Sequence, residues 1–175
     1  MGIRDAGMVR ARVRALAERD PGGRRFGADT HRYRLAPPLS EAEVRGFEAR
    51  HGITLPAAYR SFVTEVADGA AGPAHGLLPL TRPRPEAGED WAVDDEWADD
   101  RRPGRLAAPF SPTGPTQAST AGTLTLAEHG CGVFFRLVLN GPHAGEVWCL
   151  DPDWRGFTPR SPDFHHWYTA WLETP

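Results

Sequence analysis

The sequence predicts an α+β fold built as a single domain. Three observations favour this class: apolar residues recur at helical spacing over residues 8–66, strand-like segments cluster in residues 123–150, and an amphipathic segment follows them. With 175 residues, the chain has room for one domain of ordinary size with a substantial core.

The composition is that of a globular protein, with 40% hydrophobic and 25% charged residues. The 19 glycines and 17 prolines predict long connections. A net charge of -3 argues against nucleic-acid binding over the whole surface. The N-terminus is too charged for a signal peptide, and no run approaches the roughly 20 apolar residues of a membrane span. We therefore expect a cytoplasmic protein that binds neither nucleic acid nor membrane.

The first predicted element is an amphipathic helix from Met8 to Asp20, with arginines between its apolar positions. We interpret its basic side as a solvated face rather than a nucleic-acid patch. Residues 1–30 are assigned to an N-terminal helical extension and residues 31–175 to the main domain. A short strand is predicted around Tyr33, where polar and apolar residues alternate.

Two helices follow in the main domain. Ser40 and Glu43 form a capping-box signature at the start of the first, and Gly52 stands where a left-handed residue would end it. Pro56 is predicted in the first turn of the second. The inward stripe of this second helix is predicted to contain Tyr59, Phe62, Val63 and Val66.

The C-terminal third predicts strands and then a helix. The strands are predicted at Thr123–Leu126, at about Cys131–Leu139 and at Glu146–Leu150. Residues 140–145 are expected to join the last two strands as a hairpin. The closing helix is predicted to have Ser161 as its N-cap and Pro162 at its first position, with Trp167 on the buried side.

Cysteine and histidine residues offer little catalytic or metal-binding signal. Their spacing matches neither a C-x-x-C pair nor an H-E-x-x-H helix, and there is no G-x-S-x-G elbow. If the hairpin turns near Pro142, Cys149 lies opposite about Phe135, and Cys131 lies about 13 Å along the same face, too far for a disulfide. We predict no metal site, no cofactor, no catalytic residue and two buried, inert cysteines.

A set of residues in the main domain carries a recognisable signature. It consists of Phe47, Glu48, Gly52, Leu55, Pro56, Tyr59, Gly69 and the GLLPL run from Gly76. In order and residue type, this set resembles the N-terminal signature of the SUKH superfamily, the Smi/Knr-type domains. The G-x-V-W strand and the closing segment DFHHWYTAWL are similar to the second half of that family. The resemblance extends from about Arg34 onward.

The resemblance implies an α+β fold with a central, mostly antiparallel sheet, helices packed around it and no shared catalytic residues. The signature residues are then a structural motif rather than an active site. Bacterial members of the family are implicated mainly as immunity proteins that neutralise toxins, often nucleases. Some eukaryotic relatives act as regulators of cell-wall synthesis and signalling. Because the family is broad, the fold alone does not specify the function.

Residues 81–120 differ in character, being rich in proline, glycine and acid without a sustained period, and they predict a long surface insertion in the main domain. Eight acids and no basic residue lie between residues 86 and 100. One interpretation is a solvated acidic loop. Another is a partner-binding surface with tryptophan anchors, and a third packs the tryptophans against the sheet. The predicted partner-binding residues are Glu89, Asp90, Trp91, Asp94, Asp95, Glu96, Trp97, Asp99 and Asp100.

We expect a non-catalytic domain that binds another protein. In the favoured hypothesis it is an immunity protein whose acidic segment mimics nucleic acid and pairs with the basic groove of a nuclease toxin. The alternative is a regulatory or scaffold domain that binds a cellular partner. A hydrolytic enzyme that uses the histidines of the C-terminal half is a distant third. The sequence does not indicate an oligomeric state.

Overall fold

The computed structural model describes residues 6–81, 91–112, 119–151, 153 and 156–174, except for the side chains of residues 91–95. The helices are α1 (Ala6–Arg19), α2 (Ala28–His31), α3 (Glu41–His51), α4 (Ala57–Glu65), α5 (Trp91–Asp100) and α6 (Phe164–Glu173). The strands are β1 (Thr123–Gly130), β2 (Val133–Val138), β3 (Val147–Asp151) and β4 (Gly156–Ser161). This arrangement confirms the predicted α+β class.

The strands form an antiparallel sheet in the order β1-β2-β3-β4, so each strand pairs with the next along the chain. Phe135 lies opposite Cys149, which confirms the predicted hairpin and its register. The prediction missed β4, whose Pro159 pairs with Trp148. Proline is tolerated on an edge strand but weakens the strand signal in the sequence.

One face of the sheet packs against α4 and α6 in the main apolar cluster, which includes Leu137 from β2. Tyr59, Phe62 and Trp167 belong to this cluster, so the prediction that they share one core is confirmed. The ring of Phe62 lies 5.1 Å from that of Phe164 and 4.7 Å from that of Tyr168, measured between centroids. The predicted inward stripe of α4 therefore belongs to the main core and packs on α6.

The local signals around α3 are confirmed in detail. Ser40 and Glu43 form both halves of the capping box, and Gly52 ends the helix with a φ of 65°. Glu48 accepts hydrogen bonds from the backbone of Leu55 at 3.0 Å and from Arg60 Nε at 3.2 Å. Its place in the signature thus has a structural reason, because it joins α3 to the start of α4. Pro56 is the N-cap of α4, one position earlier than predicted.

The N-terminal helix is part of the same core. Val9, Val13 and Leu16 of α1 are buried in the main apolar cluster. Arg10 donates a hydrogen bond to the carbonyl of Glu65 at 2.6 Å, and Arg12 pairs with Glu173 at 3.2 Å. Residues 6–19 of the N-terminal extension thus pack directly on α4 and α6.

The strand predicted around Tyr33 is wrong. The chain forms the short helix α2 and then passes through Arg32 and Tyr33 with φ values of 46° and 55°, leaving only an isolated bridge between Leu35 and Ala70. The hydroxyl of Tyr33 donates to Asp20 at 2.7 Å, a tertiary contact that holds the ring in this conformation.

The start of the closing helix also lies later than predicted. Ser161 is the last residue of β4 and pairs with Val147, while Asp163 is the N-cap of α6 and accepts from the backbone N–H of His166 at 2.8 Å. Asp163, two residues after Ser161, also has a side chain suited to capping a helix. It is the N-cap of α6, and Ser161 instead pairs within the sheet.

Candidate partner-binding surface

The acidic segment predicted as a loop contains a helix. Residues Trp91–Asp100 form α5, which lies along β1 on the opposite side of the sheet from the main core. The prediction failed because a run of acids repels itself and shows no apolar period. The structure supplies opposite charge from arginines outside the run, so a helix can form where the local sequence disfavours one.

Arg136 is the most deeply placed of these arginines. It stands on β2, its side chain has 0% exposure, and it points to the face that α5 covers. Its guanidinium pairs with Glu96 at 2.7 Å and directly with Asp100, and its Nε donates to Thr123 Oγ1 at 2.7 Å. Two acids of α5 therefore share one buried cation of the sheet.

Asp100 is paired inside the domain, and this position gives no support to its predicted place in a partner contact. Its side chain is fully buried, with one oxygen on Arg136 and the other accepting the backbone N–H of Thr125 at 2.7 Å. Such a carboxylate cannot reach a second protein while α5 remains in place. Burial of an acid is rare without a paired cation and a hydrogen bond, and both are present here.

Asp99 is also paired within the chain. It contacts Arg102 at 3.2 Å and Arg105 at 2.8 Å, and Arg105 in turn donates to Thr120 Oγ1 at 2.6 Å. Although no basic residue lies within residues 86–100, Glu96, Asp99 and Asp100 each pair with an arginine from outside that run. These three residues fasten the segment to the domain.

Trp97 packs against the domain rather than standing free. Its half-buried ring lies against Leu78 and Phe134, and its indole N–H donates to the carbonyl of Pro79 at 2.8 Å. The guanidinium of Arg101 stacks over the ring at 3.5 Å from its centroid. The sequence left three interpretations of this segment open, and the position of Trp97 agrees with the third, in which the tryptophans pack against the sheet.

Arg101 ties the end of α5 to the helical side of the molecule. It donates to the carbonyls of Trp97 and Leu80, both at 2.6 Å, and lies 6.0 Å from the ring centroid of Phe47 on α3. Burial lowers the pKa of its guanidinium to about 10, although Asp100 opposes this shift. The residue remains a cation at neutral pH, held by carbonyl dipoles and aromatic faces.

The remaining predicted binding residues divide into two groups. Glu89 and Asp90 lie outside the described residues. Trp91, Asp94 and Asp95 lie in the helical backbone of α5, and their side chains are outside the description. At about 100° per residue, the positions of these three fall on the same side of α5 as Ala98, opposite Glu96 and Asp100. Ala98 is exposed.

The cysteines are both free, but they are not both buried. Cys131 is exposed in the turn between β1 and β2, where its φ is 55°, so its predicted burial is wrong. The strand signal placed it at the start of β2, which begins two residues later. Cys149 is half-buried, and burial raises the pKa of its thiol. In the described part of the chain, no three His, Cys, Asp or Glu side chains are grouped to hold a metal.

Phe26 is an exposed aromatic residue that the sequence interpretation did not single out. Its side chain is 57% exposed, and its ring centroid lies 5.2 Å from that of His75 and 4.9 Å from that of His129. Gly27 beside it has a φ of 75°, and a Cβ there would come within 1.8 Å of the Ala74 carbonyl oxygen. The ring is thus placed at the surface by close packing of two loops.

Comparison with known proteins agrees with the fold. Residues 38–170 match the family model described as the SMI1/KNR4 family (SUKH-1), a span that covers most of the chain and includes α3 to β4 and most of α6. No curated protein matches the chain. Among the described helices, none is both long and apolar enough to cross a membrane.

Proposed function

The chain belongs to the SMI1/KNR4 family (SUKH-1), a family of immunity-like and generally non-catalytic proteins, and we propose that it works by binding a basic protein, a toxin domain that it neutralises. Under this proposal the outer side of α5 and the acidic residues before it form the contact. The protein performs no chemistry on its partner. It blocks a basic groove by occupying it.

The supporting observation is the division of acids on α5. Glu96, Asp99 and Asp100 are paired with arginines of the domain and hold the helix in place. The positions of Asp94 and Asp95 face away from Glu96 and Asp100, and Asp95 lies one turn before Asp99. One set of carboxylates positions the helix, and the other is offered to the partner.

The charge of the segment supports a basic partner. Residues 85–95 contain five acids, Glu86, Glu89, Asp90, Asp94 and Asp95, and no basic residue, which gives a formal charge of -5. Clustered carboxylates accelerate the encounter with a cationic surface and disfavour acidic partners. A groove that binds nucleic acid is lined by arginine and lysine, so it is the kind of surface this segment complements.

The proposal is tested by kinetics after partner capture. The tagged protein is used as bait in a lysate of its native cell, and the captured protein is identified and purified. The double variant Asp94→Asn, Asp95→Asn should associate more slowly at low salt, because it has lost steering charge, and the difference should shrink at high salt. Glu96 is left unchanged because it pairs with Arg136.

A matched control removes two exposed acids elsewhere, Glu18→Gln with Asp153→Asn. This variant has the same net charge as the test variant, so it should associate nearly as wild type if local charge matters rather than total charge. Equal association rates for both double variants and the wild type would contradict a role for α5 in binding.

The nature of the captured protein separates immunity from regulation. A toxin domain should arrest growth when expressed alone, and co-expression of wild-type protein should restore growth. A partner that is harmless when expressed alone would instead support a regulatory or scaffold function, and the neutralisation proposal would then be wrong.

A further inference from the structure

The C-terminal half of α5, whose side chains are described, contacts the sheet mainly through charged groups. Asp100 and Glu96 reach Arg136, and Asp100 also reaches the backbone of Thr125. Both carboxylates that pair with Arg136 in the described structure come from α5. The charge of Arg136 is therefore compensated by a single element, and that element lies on the solvent side of the sheet.

Among the described side chains of α5, the apolar part of this contact is small. Trp97 packs against Leu78 and Phe134, which form a cluster separate from the main core. The main core contains the buried faces of α1, α3, α4 and α6, and it includes none of the described side chains of α5, those of residues 96–100. Removal of these side chains from the sheet would therefore leave the main core intact.

Ion pairs of this kind add little net free energy to docking. Their attraction in a low-dielectric site is offset by the loss of hydration of each ion, so the docked state is favoured only modestly. When the helix leaves, Arg136 and both carboxylates regain water. Elements held by few apolar contacts open at a lower free energy than the whole domain.

We propose that Arg136, Glu96 and Asp100 form an electrostatic latch, and that α5 opens from the sheet as a unit while the main core stays folded. The latch is a property of the free protein. Only its role in binding rests on the proposed function. The docked helix holds the side with the Asp94 and Asp95 positions in one orientation, so Arg136 acts as a positioning residue for the partner.

Native-state hydrogen exchange of the free protein tests the latch. In the wild type, amides of α5 should be at least about tenfold less protected than those of α4 and α6, because they exchange through local opening. In Arg136→Met, α5 should lose protection by a factor on the order of one hundred, because Asp100 would be left as a buried, unpaired charge.

The response of the other helices is also specified. Docking of α5 adds to the global stability only the free energy that separates the docked from the undocked helix. The protection factors of α4 and α6 in Arg136→Met should therefore fall by no more than the protection that docking gives to α5 in the wild type. If Arg136→Met is too unstable to measure, Asp100→Asn keeps an acceptor for Thr125 and replaces the oxygen that pairs with Arg136 by an uncharged NH2 group. It should also open α5 selectively.

The control is Arg60→Met, which removes another arginine that pairs with two carboxylates, Glu41 and Glu48. These ion pairs join α3 to α4, so the amides of α3 and α4 should lose protection from exchange in this variant. The local opening of α5 should stay as in the wild type. The latch is refuted if wild-type α5 exchanges as slowly as α4 and α6, or if the Arg136 and Asp100 variants lower protection equally in all helices. Because no partner is present, either result is independent of the proposed function.

Discussion

Arg136 shows how a single buried charge organises its surroundings. The side chain has 0% exposure, yet its nitrogens contact two carboxylates and Thr123 Oγ1. An unpaired cation in this position would lower the stability of the fold by several kcal/mol. The sheet therefore needs the acids of α5 to pair with Arg136, and the acids need Arg136 in the same way. Residues that look alike in the sequence thus have different roles, which single substitutions can separate.

Trp97→Ala should lower the free energy of unfolding by about 2 kcal/mol, because it removes packing on Phe134 and leaves the Pro79 carbonyl with only the longer hydrogen bond from Arg101, at 3.3 Å. Urea denaturation measures this loss. Trp97→Phe keeps most of the packing and should cost about 1 kcal/mol. Unchanged midpoints for both variants would show that the ring does not support the fold.

The two thiols should differ in reactivity. Cys131 is exposed, whereas Cys149 is half-buried with its pKa raised by burial. Brief treatment of native protein with iodoacetamide at about pH 8 should alkylate Cys131 first, because the thiolate is the reactive form. Peptide mapping by mass spectrometry identifies the modified residue. In Cys131→Ser the rapid reaction should disappear; a fast reaction at Cys149 would contradict the structure.

His51 should make stability depend on pH. Burial lowers its pKa from 6.5, and the cations Arg101 and Arg50 add to the shift. The unfolded state therefore binds a proton at higher pH than the folded state, so this contribution is fully present above about pH 6.5 and is lost as the pH falls towards the folded value. Urea midpoints at about pH 7, 6 and 5 should decline less for His51→Gln than for wild type. Parallel declines would reject this role.

At the scale of the elements, α3 and α5 form for different reasons. The first has a complete capping box and a glycine that ends it, all within a short stretch of chain. The second depends on arginines that follow it or lie on β2. A helix specified by local contacts tolerates changes elsewhere, whereas a helix specified by distant charge does not.

Ser40→Ala should destabilise the protein by about 1 kcal/mol, because the N-cap oxygen that accepts the N–H of Glu43 is lost. Thermal unfolding monitored by circular dichroism measures the change. Ser61→Ala lies inside α4, where alanine favours the helix, and serves as the control. If both substitutions had the same effect, the capping box would not contribute measurably.

At the scale of the whole molecule, the sheet has two unlike faces. One face packs against α4 and α6 through a large apolar cluster, and the other is covered by α5 through charge pairs and by Phe110 beside Trp148. In this chain the first face carries the large apolar core, and the second combines a smaller apolar cluster with the charge pairs to α5.

Phe62→Ala tests the large apolar core. The ring is fully buried between Phe164 and Tyr168, so its removal should cost about 3 to 5 kcal/mol, enough to unfold much of the population. The fraction folded at room temperature, followed by near-UV circular dichroism, measures this. A stable variant with a native spectrum would mean that the core can close over the cavity.

The sequence by itself determined the features that depend on neighbouring residues. The capping box at Ser40, the helix end at Gly52, the hairpin with Phe135 opposite Cys149, and the inward side of α4 were all predicted correctly. Each of these follows from backbone geometry and apolar spacing within a few residues, which the local sequence contains. The order of such features was also enough to indicate the family.

Only the tertiary structure decided what the acidic segment does. The helical form of α5, the burial of Asp100 and the packing of Trp97 all depend on Arg136 and on the Pro79 carbonyl, which are distant in the chain. The free energy of a carboxylate depends on whether an opposite charge lies within a few ångströms and on whether water is excluded. Those two conditions are set by the folded structure as a whole, so no local pattern of acids could predict them.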